Sequence, residues 1–222
     1  MIDWQNIDTV LLDMDGTLLD LHFDTFFWLE HLPLRYAEIH KMDAEDAREW
    51  LHERIMQQQG TLNWYCLDYW TQDLNVPITE LKHEIAEKIS FRPHVQDFLR
   101  ALKDEKIRAV IVTNAHQDSL SLKIKKTGLD KLVDGVICSH DFRMPKEDPM
   151  FWDKLQEVEA FDKQRTLLID DSFSVLNSAR EYGIRYLLSI VQPDSQQPKR
   201  DMKDFAAIEH FDEILPNNNG ET

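Results

Sequence analysis

The stretch LLDMDGT, residues 11–17, decides the fold class of this 222-residue chain. It continues the apolar run TVLL (residues 9–12) and ends it with two aspartates, Asp13 and Asp15. A short, uninterrupted apolar run is typical of a strand that is covered on both faces, as in a parallel sheet. Because ligand sites in open parallel sheets lie at the carboxyl ends of the strands, we expect both aspartates to face a site.

Four more apolar runs follow, and amphipathic helical segments separate them. The runs cover residues 107–112, 135–138, 166–169 and 185–190. One helix is predicted after Pro93, where apolar residues recur at positions 95, 98, 99 and 102, and another is predicted ahead of Gly183, a typical helix terminator. This alternation of strand and helix predicts a doubly wound, Rossmann-like α/β core with a parallel sheet.

Residues 21–90 break this alternation, since they contain no convincing strand and are rich in aromatic residues and helix formers. An insertion of four helices after the first strand is the simplest account. We therefore predict an α/β core made of residues 1–20 and 91–222, with residues 21–90 as an inserted helical domain. The tail from Asn217 to Gly220 is expected to be disordered.

The composition restricts the classes of partner. The formal net charge is −16, and such a charge repels polyanions, so nucleic acid polymers and anionic membrane surfaces are poor candidates. No segment approaches the roughly 18 uninterrupted apolar residues of a membrane span, and no secretory segment is recognisable. We expect a cytoplasmic protein.

Asp170 and Asp171 end the fourth predicted strand, so four carboxylates are predicted at one edge of the sheet. Burying like charges together is unfavourable unless a cation neutralises them. Carboxylate and carbonyl oxygens suit a hard divalent ion, which predicts Mg²⁺. Zinc is disfavoured here, because no histidine or cysteine belongs to this set.

Two other segments complete a predicted phosphate site. Thr113 and Asn114 follow the second strand, where a hydroxyl group and backbone N–H groups can bind a phosphoryl oxygen. Lys146 precedes a predicted helix, and its ammonium group can neutralise a nucleophilic carboxylate and the charge that develops on a phosphoryl group. The set predicts phosphate chemistry.

Together these segments resemble the four motifs of the haloacid dehalogenase superfamily, in the same order. They are DMDGT with Asp13 and Asp15, TN with Thr113 and Asn114, PKEDP with Lys146, and DD with Asp170 and Asp171. The resemblance implies a Mg²⁺-dependent phosphatase that works through an aspartyl phosphate. Dehalogenases of the superfamily lack an aspartate at the position of Asp15, so its presence favours phosphoester chemistry.

The resemblance also implies a role for each residue. Asp13 would be the nucleophile and Asp15 the general acid and base. The metal ligands would be Asp13, Asp170 and the main-chain carbonyl of Asp15, with Asp171 supporting the metal or Lys146. The phosphate would be held by Thr113, Asn114 and Lys146, and Gly16 would permit a close approach of the backbone.

The insertion resembles the small helical cap of superfamily phosphatases, which excludes water and selects small substrates. Its segment TLNWYCLDYW (residues 61–70) resembles the bacterial nucleotidases that hydrolyse GMP and IMP. The candidate specificity residues for a purine mononucleotide are Asn63, Trp64 and Tyr65. Two of them are aromatic, and an aromatic face that stacks on a base contributes about 1–3 kcal/mol. Core packing explains rings at helical spacing equally well, so both interpretations stay open.

Other functions also stay open. A phosphoglycolate or sugar-phosphate phosphatase, or a phosphosugar mutase, would share the chemistry of Asp13 and Asp15. A non-catalytic binding module on the same fold is a third alternative, but it predicts loss of the nucleophile or of Lys146, and both are present.

The cysteines and histidines give no motif. Cys66 and Cys138 form no CxxC pair, and the nine histidines form no HxH or HxxxH cluster. We expect both cysteines to be buried small side chains in a reducing compartment and His116 to lie at the surface or to cap a helix. The lysines from Lys123 to Lys126 are predicted to form a solvated helix face.

Overall fold

Six parallel strands form the central sheet in the computed structural model, which describes residues 2–202 and 204–216. The strand order is β3-β2-β1-β4-β5-β6. The strands are β1 (Thr9–Leu12), β2 (Arg108–Thr113), β3 (Gly135–Cys138), β4 (Thr166–Ile169), β5 (Tyr186–Ile190) and β6 (Ala207–Ile208). The first five lie on the predicted apolar runs. The tail from Asn217 to Gly220 lies outside the described residues.

Successive residues of β1 pack against opposite faces of the sheet. Val10 and Leu12 belong to one buried cluster, whereas Leu11 belongs to the other, as the two-residue period of a strand requires. Helices α7 (Val95–Asp104) and α8 (Gln117–Thr127) cover the first face, and α9 (Pro149–Val158) and α10 (Phe173–Tyr182) cover the second. The predicted doubly wound α/β core is confirmed.

Local sequence accounts for the ends of the core helices. The Asp148 carboxylate accepts a hydrogen bond from the N–H of Met150 at the start of α9, and Pro149 takes the first helical position, where no N–H is needed. Gly183 ends α10 with a φ of 102°, a backbone conformation in the left-handed region that favours glycine.

The helices between β1 and α7 form four stretches, which a short 3₁₀ turn (Ala86–Lys88) follows. The first runs through α1 (His22–Phe26), a π-helical turn (Phe27–His31) and α2 (Leu32–His40), and the second is α3 (Ala44–Met56). The third consists of α4 (Leu62–Tyr65) and α5 (Leu67–Leu74), and the fourth is α6 (Ile78–His83). No residue between 21 and 90, a range that is described throughout, is in a strand. We call residues 21–90 the helical insertion; that it is a separate domain stays a prediction.

None of the helices in the described part of the chain combines the length and the apolar character that crossing a bilayer requires.

Candidate active site

Three neighbouring strands bring the predicted site residues together at the carboxyl edge of the sheet. Leu12 of β1 is in register with Ile169 of β4, so the residues that follow, Asp13 and Asp170, lie side by side. β2 lies on the other side of β1 and ends at Thr113, which is buried. The strand order therefore places three of the four motifs at one edge.

The ammonium group of Lys146 contacts a residue at the carboxyl end of each of these three strands. Its Nζ lies 2.6 Å from Oδ1 of Asp13, 2.7 Å from Oδ2 of Asp170 and 2.9 Å from the carbonyl oxygen of Val112. Burial of this ammonium group, which is 1% exposed, opposes its charge. The two carboxylates outweigh that effect and raise the pKa of Lys146, so the side chain remains a cation.

Three carboxylates form a compact cluster beside this lysine. Asp13, Asp170 and Asp171 each offer an oxygen, and these oxygens all lie within 4.8 Å of one another. Burial raises the pKa of Asp13 to about 6, with a further contribution from the charge of Asp170 and an opposing one from Lys146. Burial, together with the neighbouring aspartates, also raises the pKa of Asp171 well above its usual range. Buried like charges with an all-oxygen donor set fit a divalent metal ion.

Position 16 requires a glycine, because the backbone there passes close to the side chain of Asp171. A Cβ atom at this position would lie 2.8 Å from Cγ of Asp171, and the φ of Gly16 is 85°. Both the contact and the left-handed backbone exclude larger residues without a local rearrangement. The prediction of a close backbone approach at Gly16 agrees with this geometry.

Asn114 holds the loop of Lys146 by two hydrogen bonds. Its Oδ1 accepts from the backbone N–H of Lys146 at 2.9 Å, and its Nδ2 donates to Glu147 at 2.9 Å. The other oxygen of Glu147 accepts a hydrogen bond of 2.7 Å from the hydroxyl of Tyr65, which belongs to the helical insertion. A continuous chain of hydrogen bonds therefore links the insertion to the predicted phosphate-binding residues.

A second buried network surrounds Asp15. Lys123 Nζ lies 2.6 Å from both Asp15 Oδ1 and Asp24 Oδ2, and Lys82 Nζ lies 2.7 Å from Asp24 Oδ1. The prediction of a solvated face is therefore wrong for Lys123, which is 1% exposed, although it holds for Lys125 and Lys126. The cost of burying this lysine is offset by two carboxylates.

The network shifts the pKa values of its two aspartates in opposite directions. Burial tends to raise the pKa of Asp24, but Lys123 and Lys82 outweigh burial and lower this pKa to about 2. Asp15 has the opposite outcome, because burial and the charges of Asp24 and Asp13 prevail over Lys123 and raise its pKa to about 6. Asp15 can therefore gain and lose a proton within a moderate pH range, as a general acid and base must.

A cavity of about 740 Å³ opens onto these residues from below the helical insertion. From the insertion, its wall includes Trp28, Trp64 and Tyr65. From the α/β core, its wall includes every predicted carboxylate and phosphate-binding residue: Asp13, Asp15, Thr113, Asn114, Lys146, Asp170 and Asp171. For Asn63 the structure differs from the prediction, because this residue is exposed, does not line the cavity and donates from its Nδ2 to the side chain of Gln58. Asn63 sits on the outer side of α4, and a helix can present only one face to a cavity.

The sequence contained signals for some residues that were not predicted. Ile78, Leu81 and Ile85 follow helical spacing for a buried face, and Lys82 takes the remaining position of that face. A lysine at a core-facing position indicates a buried ion pair. Glu147 follows Lys146 directly, but its link to Tyr65 could not be predicted because the two residues are far apart in the sequence.

The site combines a parallel α/β sheet with a buried lysine and three clustered aspartates at its carboxyl edge, an arrangement suited to enzymes of phosphoryl transfer. The family model of haloacid dehalogenase-like hydrolases matches residues 10–189. The chain belongs to this family, and it is a phosphatase, a phosphoric monoester hydrolase, which confirms the prediction made from the four motifs.

Curated relatives agree with this classification, and solved structures share the fold. The chain is 38% identical over 215 residues to the GMP/IMP nucleotidase YrfG of Escherichia coli (strain K12), an alignment that covers 97% of each chain. It is 22% identical over 198 residues to the phosphorylated carbohydrates phosphatase of Thermotoga maritima, covering 83% of this chain and 86% of that one. In fold it is similar to the crystal structure of a HAD phosphatase from Thermococcus onnurineus, with a TM-score of 0.78, 22% identity, and coverage of 94% and 96% of the two chains.

Proposed function

We propose that this enzyme is a Mg²⁺-dependent 5′-nucleotidase that hydrolyses GMP and IMP to the nucleoside and phosphate. The observation that carries the chemistry is the contact of Lys146 with both Asp13 and Asp170 in the wall of the cavity. The observation that favours the substrate is the 38% identity to a GMP/IMP nucleotidase over nearly the whole chain.

The metal would be held by the carboxylates of Asp13 and Asp170, with Asp171 close enough to contribute or to support them. Only oxygen donors belong to this cluster, and Mg²⁺ prefers oxygen ligands. When bound, Mg²⁺ would neutralise charge on the phosphoryl group and on the cluster. The main-chain carbonyl of Asp15 remains a proposed ligand.

The chain's own residues account for the chemical steps. An oxygen of Asp13 attacks phosphorus, the bond from phosphorus to the ester oxygen breaks, and Asp15 gives its proton to the leaving hydroxyl. Asp15 then takes a proton from water, whose oxygen attacks phosphorus. The bond from phosphorus to Asp13 breaks, which releases phosphate and regenerates the Asp13 carboxylate. Thr113, Asn114 and Lys146 hold the phosphoryl oxygens throughout, and no other reactant is needed.

Lys146 and Lys123 have different roles, because Lys146 contacts Asp13 and Lys123 contacts Asp15. Lys146 lies against Asp13 and favours its ionised form, which is the nucleophilic one. Lys123 holds one oxygen of Asp15 and leaves the other free to exchange a proton with substrate or water.

The helical insertion would act as a cap that selects small phosphorylated metabolites. The volume of about 740 Å³ lies within the usual range for small-molecule sites, and Trp28 and Trp64 give its upper wall aromatic surface on which a purine base can stack. The hydrogen bond of Tyr65 to Glu147 points to a role in positioning rather than in base stacking. Purine mononucleotides are cytoplasmic metabolites, and we expect this enzyme to work in the cytoplasm.

The direct test is phosphate release from a panel of GMP, IMP, AMP, pyrimidine monophosphates, phosphoglycolate and sugar phosphates, with Mg²⁺ and with EDTA. We expect GMP and IMP to give the highest kcat/KM and EDTA to abolish activity. A preference for sugar phosphates or phosphoglycolate would refute the nucleotidase assignment and leave the phosphatase chemistry in place. Undiminished activity in EDTA would refute the metal requirement.

A further inference from the structure

A cysteine and two histidines from different parts of the sequence meet at the boundary between the helical insertion and the core. Cys66, His116 and His140 each offer a ligand atom, and these atoms all lie within 4.8 Å of one another. Cys66 joins α4 to α5 in the insertion, His116 precedes α8, and His140 follows β3. Cys66 was expected to be a buried small side chain; it is only half-buried, and two histidines lie beside it. The capping role expected of His116 agrees with its contact to α8.

We propose that Cys66, His116 and His140 form a second metal site, which binds Zn²⁺ or a similar borderline divalent ion and is separate from the aspartate cluster. One thiolate sulfur and two imidazole nitrogens are ligands that zinc prefers and Mg²⁺ does not. The two clusters share no residue, and their donor atoms belong to opposite chemical classes. We therefore expect Mg²⁺ to bind the aspartate cluster and Zn²⁺ to bind the site of Cys66, His116 and His140.

The three side chains are already held in place by neighbouring groups. His116 accepts a hydrogen bond through Nδ1 from the N–H of Asp118, at 3.4 Å, and so caps α8. His140 lies 3.2 Å through Nε2 from the carbonyl oxygen of Asn114, and Cys66 accepts from the N–H of Tyr69 at 3.5 Å. Such outer contacts orient metal ligands and reduce the cost of assembling them.

Water would complete the tetrahedral coordination that zinc favours. Oδ2 of Asp68 lies 3.6 Å from Nε2 of His116, but Asp68 is outside the compact group that the cysteine and the two histidines form. The insertion would then supply one ligand and the core two.

Bound Zn²⁺ would lock the insertion onto the core. The site connects Cys66 to a loop that begins at Asn114, one of the proposed phosphate-binding residues, and His140 contacts Asn114 directly. If the insertion acts as a cap, as the proposed function holds, it must open to release product. We therefore expect Zn²⁺ bound here to inhibit turnover, whereas binding itself does not depend on the proposed function.

Cys138 offers a matched control for the thiol. It is buried and donates through Sγ to the carbonyl oxygen of Ala115 at 3.1 Å, and it is not part of the cluster. His83, which is exposed and lies on α6, serves the same purpose for the histidines.

The test measures Zn²⁺ binding to the full-length protein by competition with a chromogenic chelator, in saturating Mg²⁺ so that the aspartate cluster is occupied. We expect one tight Zn²⁺ per chain in the unaltered protein and in Cys138→Ala and His83→Ala. Cys66→Ser and His140→Ala should each weaken binding by at least roughly tenfold. Co²⁺ should give a sulfur-to-metal charge-transfer band that is absent in Cys66→Ser only.

Circular dichroism of each variant establishes that it is folded before the affinities are compared. Equal Zn²⁺ affinity and stoichiometry in Cys66→Ser and the unaltered protein would overturn the site, as would a Co²⁺ complex without the thiolate band. Inhibition by Zn²⁺ should require at least roughly tenfold more metal in Cys66→Ser. Tight binding without inhibition would leave the site in place and overturn its locking role.

Discussion

Asp13 and Asp15 are two residues apart in the sequence, yet each contacts a different buried lysine. Lys146 contacts Asp13, whereas Lys123 contacts Asp15. Burial raises the pKa of both aspartates to about 6, so neither is a simple surface carboxylate. Their lysine partners differ in what else they contact, since Lys146 is shared with Asp170 and Lys123 is shared with Asp24.

Replacement of Asp15 by asparagine separates the two chemical steps. We expect the turnover of GMP by Asp15→Asn to fall by about 10²–10⁴-fold, because the nucleoside leaving group needs a proton. An aryl phosphate with a good leaving group needs none, so the same variant should release one equivalent of phenolate in a burst and then slow down. Stopped-flow absorbance with p-nitrophenyl phosphate measures both phases. Equal losses on GMP and on the aryl ester, without a burst, would contradict the acid–base role.

Tyr65 is the residue through which the helical insertion contacts the phosphate-binding loop. We expect Tyr65→Phe to lower kcat/KM by roughly fivefold, since the variant loses a hydrogen bond worth about 1 kcal/mol and leaves Glu147 without this donor. The matched control is Tyr69→Phe, since Tyr69 is outside this chain of hydrogen bonds. Steady-state kinetics with GMP would contradict the account if both variants behaved alike.

At the scale of secondary-structure elements, one buried lysine of α8, Lys123, joins this helix to Asp15 of the core and Asp24 of the insertion. Lys123→Met should lower the free energy of unfolding by about 3–5 kcal/mol, because Asp15 and Asp24 lose their shared cation. Lys126→Met, on the exposed face of the same helix, should change it by less than about 0.5 kcal/mol. Urea unfolding measures both values. A loss below about 1 kcal/mol for Lys123→Met would show that the network does not stabilise the fold.

Periodicity predicted the sheet well because each strand is apolar on both faces. Five strands were predicted within a residue or so of their observed bounds, whereas β6 was missed because Ala207–Ile208 is too short to show a pattern. Three of the four motifs were predictable because each follows a strand, and parallel strands end at the same edge. Lys146 was instead predicted from its position ahead of α9.

Contacts between distant segments were not predictable. Lys123 was assigned to solvent because it belongs to a run of lysines with Lys125 and Lys126, and only the folded position of Asp24 shows otherwise. The cluster of Cys66, His116 and His140 also depends on how the insertion sits on the core, which no local spacing encodes.

At the scale of the whole molecule, stability is coupled to pH and metal through the aspartate cluster. Burial raises the pKa of Asp13 to about 6, and burial likewise raises the pKa values of Asp170 and Asp171, so the folded protein holds protons that the unfolded chain releases near pH 4. Without metal, the contribution of these groups to stability is present at low pH and is lost as the pH rises through about 6.

Mg²⁺ competes with these protons, so it should raise Tm more at pH 7 than at pH 5. Differential scanning calorimetry with and without Mg²⁺ at the two pH values measures the effect. Asp170→Asn, which removes one carboxylate of the cluster, should lose most of the shift at pH 7. Equal shifts at both pH values would contradict a site made of these aspartates.

We propose that catalysis passes through a phosphorylated Asp13. The most direct measurement is acid quenching of Asp15→Asn during reaction with p-nitrophenyl phosphate and Mg²⁺, followed by peptide mass spectrometry. We predict one phosphoryl group per chain, on the peptide that contains Asp13, and none when Asp13 is also replaced by asparagine. Burst release of phenolate with no phosphoryl group on the protein, or with the group on another residue, would contradict the claim.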